Sequence, residues 1–393
     1  MKIFTNANIV TPDEILENHC LAVNNGKITA IGQHIGNETA EIIDCHGGYL
    51  MPGIIDIHSD MIENLLQPRS TAMMSFQLGL DEAEKQLCAC GITTIYHSVS
   101  MYKEGTWDSR EIRSAKSVKK LSKLIKKKKT GSHLIHNKYH LRYELDNIKC
   151  YDNVLELMDN GNVDLLSIMD HRPGQGQYKD LSIYRRHLPN QGRDLSDEEF
   201  AQLVEREQTK PMIEGEKLTD LVKKAKSLGI PVSSHDDDSS ECIQRDIKLG
   251  VDISEFPITL EVAKEAKSAG IAALLGAPNI LLGGSHSGNL SAEVAVKEGC
   301  GDILCSDYYP QALLRAVFYL ANKGVLTLPQ AVKLVSLNPA KAVKIGDETG
   351  SLEVGKTADM LVIEKDMEGQ PVLKSVYIDG VAAMAMNYSE VQK

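Results

Sequence analysis

The feature that most restricts how this chain can fold is an alternation. Eight short apolar runs, at residues 53–57, 93–96, 134–141, 164–168, 231–233, 252–256, 279–282 and 302–305, are separated by amphipathic stretches long enough for helices. Parallel strands cannot be joined by a tight turn, because their crossover needs a dozen or more residues, usually helical. Eight such units in series predict an α/β fold, a TIM-like (β/α)8 barrel in preference to a doubly wound sheet. The chain ends differ in character. Residues 1–52 read as short strands, with a hairpin whose Asn25-Gly26 turn supplies positive φ angles, and residues 358–363 and 372–378 are strand-like, followed by Asp379-Gly380 as a turn. The expected organisation is a barrel over residues 53–344 and one small β domain shared by residues 1–52 and 345–393.

Composition sets limits on function. Of the 393 residues 42% are hydrophobic, enough to bury a large core, while 43 Lys and Arg against 54 Asp and Glu leave a net charge of −11. That balance argues against a general nucleic-acid or anionic-membrane surface, and an anionic substrate would need local cations. The longest apolar stretch, near residues 271–282, is broken by Gly276, Pro278 and Asn279, and no apolar leader precedes Asp13 and Glu14. Neither a membrane span nor a signal peptide is expected. Eight cysteines without a regular framework suggest reduced thiols and a cytoplasmic location. Seven lysines in residues 119–129 surround Leu121, Leu124 and Ile125 at helical spacing, which reads as a solvated helix face with a narrow apolar stripe.

The chemistry falls at the strand ends. His58 and Asp60 follow the first strand, His140 and Glu144 close the third, Asp170 and His171 follow the fourth, and His235 and Asp236 the fifth. Glu255 lies in the sixth, and Asp307 follows the eighth. In a barrel these ends form one rim, where such folds place their sites. One His or Asp at a strand end is usually a loop-stabilising hydrogen-bonder, but so many on one rim would repel or lie unpaired. Two divalent cations compensate them, with four positive charges against three from Asp60, Glu144 and Asp307. The mixed imidazole and carboxylate shell suits two Zn²⁺, and its oxygen content also admits Mn²⁺ or Fe²⁺. After the seventh strand, the loop at residues 283–289 has small residues whose N–H groups can face an anion, and Arg69, Arg142 and Arg172 lie near metal candidates with forks suited to phosphate.

These residues carry a resemblance. Met51-Pro52-Gly53-Ile54-Ile55-Asp56-Ile57-His58, the split β domain, and the closing stretch from Asn338-Pro339-Ala340 through Gly350-Ser351-Leu352-Glu353-Val354-Gly355-Lys356-Thr357-Ala358-Asp359 resemble the amidohydrolase superfamily along the whole chain. Four blocks resemble its phosphonate-metabolism branch, the diphosphatases of the carbon-phosphorus lyase pathway that act on α-D-ribose 1-methylphosphonate 5-triphosphate. They are His58 to Glu63 with Gln67-Pro68-Arg69, Ser234-His235-Asp236-Asp237, Gly276 to Ile280 with Gly284 to Asn289, and Ser306-Asp307-Tyr308-Tyr309-Pro310. The resemblance implies an amidohydrolase-type barrel with a small β-sandwich, and a hydrolase that releases pyrophosphate from a phosphorylated ribose phosphonate. It leaves self-association open.

Site residues follow as implications. The metal ligands are His58, Asp60, Glu144, His171, His235, Glu255 and Asp307. Asp307 also takes a proton from the attacking water, and His286 assists the leaving group. Arg69, Arg142, Arg172, Ser285, Ser287 and Asn289 bind substrate. The superfamily's bridging carbamylated lysine has no counterpart, so Glu144 is the bridging candidate. His58-x-Asp60 replaces the usual His-x-His, as it does throughout this branch, while Met61 and Ser70 depart from some of its members. Glu63 either reaches a metal or caps the following helix, Asp236, Asp237 and Asp238 cannot all be ligands, and Glu255 is a ligand or an acceptor that orients one. His97 and His136 read as structural. Two other functions stay open: an amide or N-acyl hydrolase of deacetylase or cyclic-amidase type with the same metals, and a metal-free scaffold.

Overall fold

A computed structural model describes residues 1–36, 38–102, 110–188, 194–285 and 288–388. The N-terminal part supplies β1 (Lys2–Val10), β2 (Ile15–Asn24), β3 (Lys27–Gly32), β4 (Glu41–Asp44) and β5 (Tyr49–Pro52). The barrel strands are β6 (Ile54–Ser59), β7 (Ile92–Met101), β8 (His136–Glu144), β9 (Leu165–Met169), β10 (Val232–His235), β11 (Ile253–Glu255), β12 (Ala272–Gly276) and β13 (Ile303–Cys305). The chain finishes with β14 (Met360–Lys365), β15 (Pro371–Ile378) and β16 (Val381–Ala385).

Both chain ends build one sheet, in the order β16-β15-β14-β5-β1-β2-β3 with β4 also on β1. They are joined where β14 runs antiparallel to β5, Met360 opposite Pro52 and Ile363 opposite Tyr49. Phe4, Leu21, Leu50, Met360 and Tyr377 fill its own core. In the β2–β3 turn Asn25 has φ 48° and Gly26 φ 77°, the left-handed pair that a two-residue hairpin needs.

β6 to β13 are parallel and lie side by side in sequence order. Ile55, Ile57, Tyr96, Leu165, Ile253, Leu274 and Ile303 pack into one interior cluster, while Ile54, Ile92 and Leu166 belong to the larger core that includes the helices. The ring is completed by main-chain bonds between its first and last segments. Asp60 N–H donates to Asp307 O at 2.8 Å, and Asp307 N–H donates to His58 O at 3.0 Å. The β6–β7 register is irregular between Asp56 and Ser59. Such a break interrupts the alternation of faces, and it lets His58 join the interior although Ile57 beside it already points there.

One strand falls elsewhere than expected. Residues 279–282 lie in a helix, Ala277–Leu282, and the seventh strand is β12, immediately upstream. Pro278 sits in the first helical turn, where its missing N–H costs nothing, and Gly283 ends the helix at φ 75°. The lysine run lies on the helix Ala115–Lys128, which buries Leu121 and Ile125. Among the described residues no helix is long and apolar enough to cross a membrane, and all eight cysteines are free thiols.

Candidate metal centre

The C-terminal ends of the barrel strands bring histidines and carboxylates together. Glu255 is fully buried at the end of β11, with one oxygen 3.3 Å from His58 Nδ1 and the other 3.5 Å from His140 Nε2. Ser167 Oγ donates to it at 3.0 Å. Burial opposes its charge, but His140 and His58 hold its pKa far below the usual carboxylate range. Beside this group, Asp236 Oδ2 lies 3.2 Å from His235 Nδ1 and 3.7 Å from His171 Nε2. At the closing seam, Asp60 Oδ1 is 3.9 Å from His58 Nε2, and Asp307 offers a carboxylate oxygen to the same group. Burial raises the pKa of Asp307, partly countered by His58.

Three sets of converging ligand atoms result: His58, His235 and Glu255; His171, His235 and Asp236; His58, Asp60 and Asp307. His58 and His235 each belong to two of them, so the sets form one continuous centre. Within it His58 Nδ1, His235 Nδ1, Asp236 Oδ2, His140 Nε2 and Glu255 Oε1 are buried without hydrogen-bond partners. Buried polar atoms are seldom left so, and imidazole nitrogens aimed with carboxylate oxygens at shared points are what divalent cations bind. The charges agree. Asp60, Glu144, Asp236, Glu255 and Asp307 against Arg142 leave four formal negative charges, which two divalent cations cancel. The residues therefore fit a divalent metal centre.

Some expected residues take other places. Glu144 shares none of the three ligand sets, and its Oε1 lies 2.5 Å from His171 Nδ1. The bond engages the nitrogen opposite the one facing Asp236, a geometry suited to orienting that ring. Arg142 is 8% exposed, donates to both oxygens of Asp60 at 3.0 Å, and lies 3.2 Å from His235 Nε2. Its fork is thus largely taken up by the centre itself. Arg172 pairs with Asp170 at 2.7 Å and with the carbonyls of Gln208 and Lys210, and Arg69 is exposed; neither is among the residues lining the cavity. Ser285 and Asn289 do line the cavity, whereas His286 and Ser287 lie outside the described residues. Glu63 is paired with Arg110 and Arg113 and caps no helix through its side chain. Of the three consecutive aspartates only Asp236 reaches the centre: Asp237 accepts from Ser234 and Ser254, and Asp238 from Gly176 N–H. His97 bonds Asn137 at 2.9 Å.

The centre opens into a cavity of about 310 Å³. Besides the residues above, Gln177, Phe256 and Tyr308 line it; Tyr308 belongs to the Ser306–Pro310 block but carried no assigned role, and Gln177 and Phe256 gave no signal in the sequence. Phe256 packs edge-on against His58 and His235, with centroids 5.0 and 5.3 Å away. Asp236, Phe256 and Asp307 all take left-handed φ angles of 56° to 57°. Such angles are uncommon outside glycine and recur where a chain turns sharply to present a side chain.

Comparison with known proteins bears on what such a centre does. Residues 206–383 match the model of the amidohydrolase family. The α-D-ribose 1-methylphosphonate 5-triphosphate diphosphatase of Escherichia coli (strain K12) is 33% identical over 372 residues, covering 92% of this chain and 95% of that protein. A D-hydantoinase of Geobacillus stearothermophilus is 40% identical over 60 residues, 15% of this chain and 12% of that one. Among solved structures, dihydropyrimidinase from Brevibacillus agri NCHU1002 superposes with a TM-score of 0.66 at 16% identity, covering 97% of this chain and 94% of that one. N-acetylglucosamine-6-phosphate deacetylase from Pasteurella multocida gives 0.61 at 15% identity, covering 98% and 100%. At those identities the structural likeness speaks for the fold alone. With an end-sheet and barrel like theirs, a metal-type centre at the strand ends, and a sequence match running nearly the length of both chains, this protein belongs to the amidohydrolase family of hydrolases.

Proposed function

We propose that the protein hydrolyses the 5-triphosphate of α-D-ribose 1-methylphosphonate 5-triphosphate, leaving the 5-phosphate and releasing pyrophosphate. The observation that carries this reading is the 33% identity to the E. coli diphosphatase across 92% of the chain. The cavity supports it, since Ser285 and Asn289 offer small polar groups beside the centre.

His58, Asp60, His171, His235, Asp236 and Glu255 would hold divalent cations, with Asp307 at their edge. Bound there, such ions would lower the pKa of water and offset charge on phosphoryl oxygens. Asp307 accepts the proton of the attacking water at its carboxylate, and burial makes it a stronger base than an exposed aspartate. Glu144 fixes the ring of His171, and Arg142 fixes Asp60 and His235, so the ligands are oriented before substrate arrives. Ser285 and Asn289 receive the phosphate chain. The test is pyrophosphate release from this triphosphate by enzyme loaded in turn with Zn²⁺, Mn²⁺ and Fe²⁺. Release with one of them is expected; none with any, alongside cleavage of N-acyl compounds or cyclic amides, would overturn the reading.

A further inference from the structure

At the opposite end of β8 from Glu144 lies a second group of metal-capable side chains. His136 opens that strand and Glu144 closes it, so the group stands on the order of 25 Å along the strand from the centre described above. His133, His136 and Asp379 each present a ligand atom within 4.8 Å of the others. His133 Nε2 is 3.9 Å from Asp379 Oδ2, His136 Nε2 is 3.7 Å from Asp379 Oδ1, and the two rings are 5.4 Å apart. Asp359, 3% exposed, faces His136 Nε2 with both oxygens at 3.2 Å.

An ordinary ion pair accounts for part of this. His136 with Asp359 at 3.2 Å is one, and it raises the pKa of His136 although burial opposes the charge. His133 and Asp379 stand beside that pair without making hydrogen bonds to it or to each other through their ring and carboxylate atoms. Gly131 O accepts a hydrogen bond from His133 Nδ1 at 2.9 Å, which turns Nε2 toward the carboxylate of Asp379. A cation between that nitrogen and the carboxylate, whether a proton or a metal ion, would satisfy both. The separations of 3.7 and 3.9 Å are too long for hydrogen bonds, but atoms about 2.1 Å from one ion at tetrahedral angles stand roughly 3.4 Å apart, so small side-chain shifts close the difference.

We infer that His133, His136 and Asp379 form a second divalent metal site, of the Zn²⁺ and Co²⁺ class, in which the ion displaces the proton that His136 Nε2 shares with Asp359 and Asp359 stays as the neighbouring carboxylate that balances its charge. The two imidazoles select that class over Mg²⁺ or Ca²⁺. His133 and His136 are a quarter exposed and Asp379 about half, so an ion enters from solvent without unfolding the chain. The site is a clamp. His133 and His136 belong to the barrel at the start of β8, whereas Asp379 is the turn between β15 and β16 and Asp359 immediately precedes β14, so one ion ties the barrel to the end-sheet. Asp379 is preset for this by a φ of 49° and by donating its N–H to Asp359 Oδ1 at 2.9 Å.

The experiment strips the full-length protein with a chelator, reloads it with Zn²⁺ or Co²⁺, and counts metal per chain by mass spectrometry. His133→Ala and Asp379→Asn should each hold about one equivalent less than the unaltered protein. Both should keep its rate of pyrophosphate release. Co²⁺ should give the unaltered protein an extra visible absorption band that both variants lack, and Zn²⁺-dependent thermal stabilisation should shrink in both. Equal metal counts and identical Co²⁺ spectra in all three proteins would overturn the inference. His133 is partly exposed at the surface, so its replacement is compatible with folding. The counts need no activity, so failure of the proposed reaction would leave this test standing.

Discussion

Replacing Glu144 separates an orienting carboxylate from a bridging one. Its Oε1 lies 2.5 Å from His171 Nδ1, and the opposite ring nitrogen faces Asp236 at 3.7 Å. In Glu144→Gln an amide oxygen can still accept from Nδ1, so the geometry survives while the charge is lost. A hydrogen bond to a charged group contributes about 1.5–3 kcal/mol and a neutral one about 0.5–1.5, so the loss is about 1–1.5 kcal/mol. That corresponds to roughly a five- to twelvefold fall in metal affinity. Glu144→Ala also removes the acceptor, and the loss should grow to roughly ten- to hundredfold. The assay titrates chelator-stripped protein with buffered Zn²⁺, reading bound metal and pyrophosphate release in parallel. The reasoning predicts weakened affinity with full occupancy restored at saturating metal. A variant that never regains the metal count of the unaltered protein would show Glu144 to be a true ligand, and one with unchanged affinity would show that it does not orient His171.

Asp307→Asn should lower kcat by about 10²- to 10⁴-fold with the fold intact, because it removes the proton acceptor and almost no volume; a near-normal kcat at full metal occupancy would refute that role. Arg69→Ala and Arg172→Ala should leave KM for the triphosphate unchanged, since neither side chain lines the cavity. A tenfold rise in either, about 1.4 kcal/mol, would mean that it meets the substrate after all. His97, buried against Asn137, has its pKa lowered to about 4 by burial. The unfolded chain then binds a proton that the folded one refuses, so stability is complete above pH 6.5 and falls as pH drops toward 4. Urea denaturation should show His97→Gln losing up to about 3 kcal/mol of that acid sensitivity, and an unchanged pH slope would count against a neutral buried ring.

Much of the fold was legible because hydrophobic period and strand-end chemistry are local properties. The seventh strand was not, since residues 271–282 are continuously apolar enough that a strand and the helix after it merge; only Gly276 and Pro278 mark the boundary. The histidines and carboxylates of the centre could be read from their places after strands. What each touches could not. Glu144 looks like a ligand in sequence because it ends a strand, whereas its contact with His171 is visible only in three dimensions. Arg142 looks like a phosphate anchor, but Asp60 and His235 already occupy its fork. Asp236 stands apart from Asp237 only through a left-handed backbone, which a sequence of consecutive aspartates does not reveal.

The bonds that complete the barrel have a consequence for how the site and the chain come into being together. Asp60 donates its N–H to Asp307 O and Asp307 donates its own to His58 O across the first and last segments of the ring, and the buried carboxylate of Asp56 accepts from Ser306 N–H across the same gap. An ion gripped by His58, Asp60 and Asp307 would therefore be a fastener as well as a reagent, pinning two stretches some 250 residues apart. The set with Asp307 is incomplete until the last barrel segment is made, and loss of metal should loosen the molecule first at this join. Amide exchange at Asp60 and Asp307, faster in stripped than in loaded protein while β8 and β9 stay protected, is the expected sign.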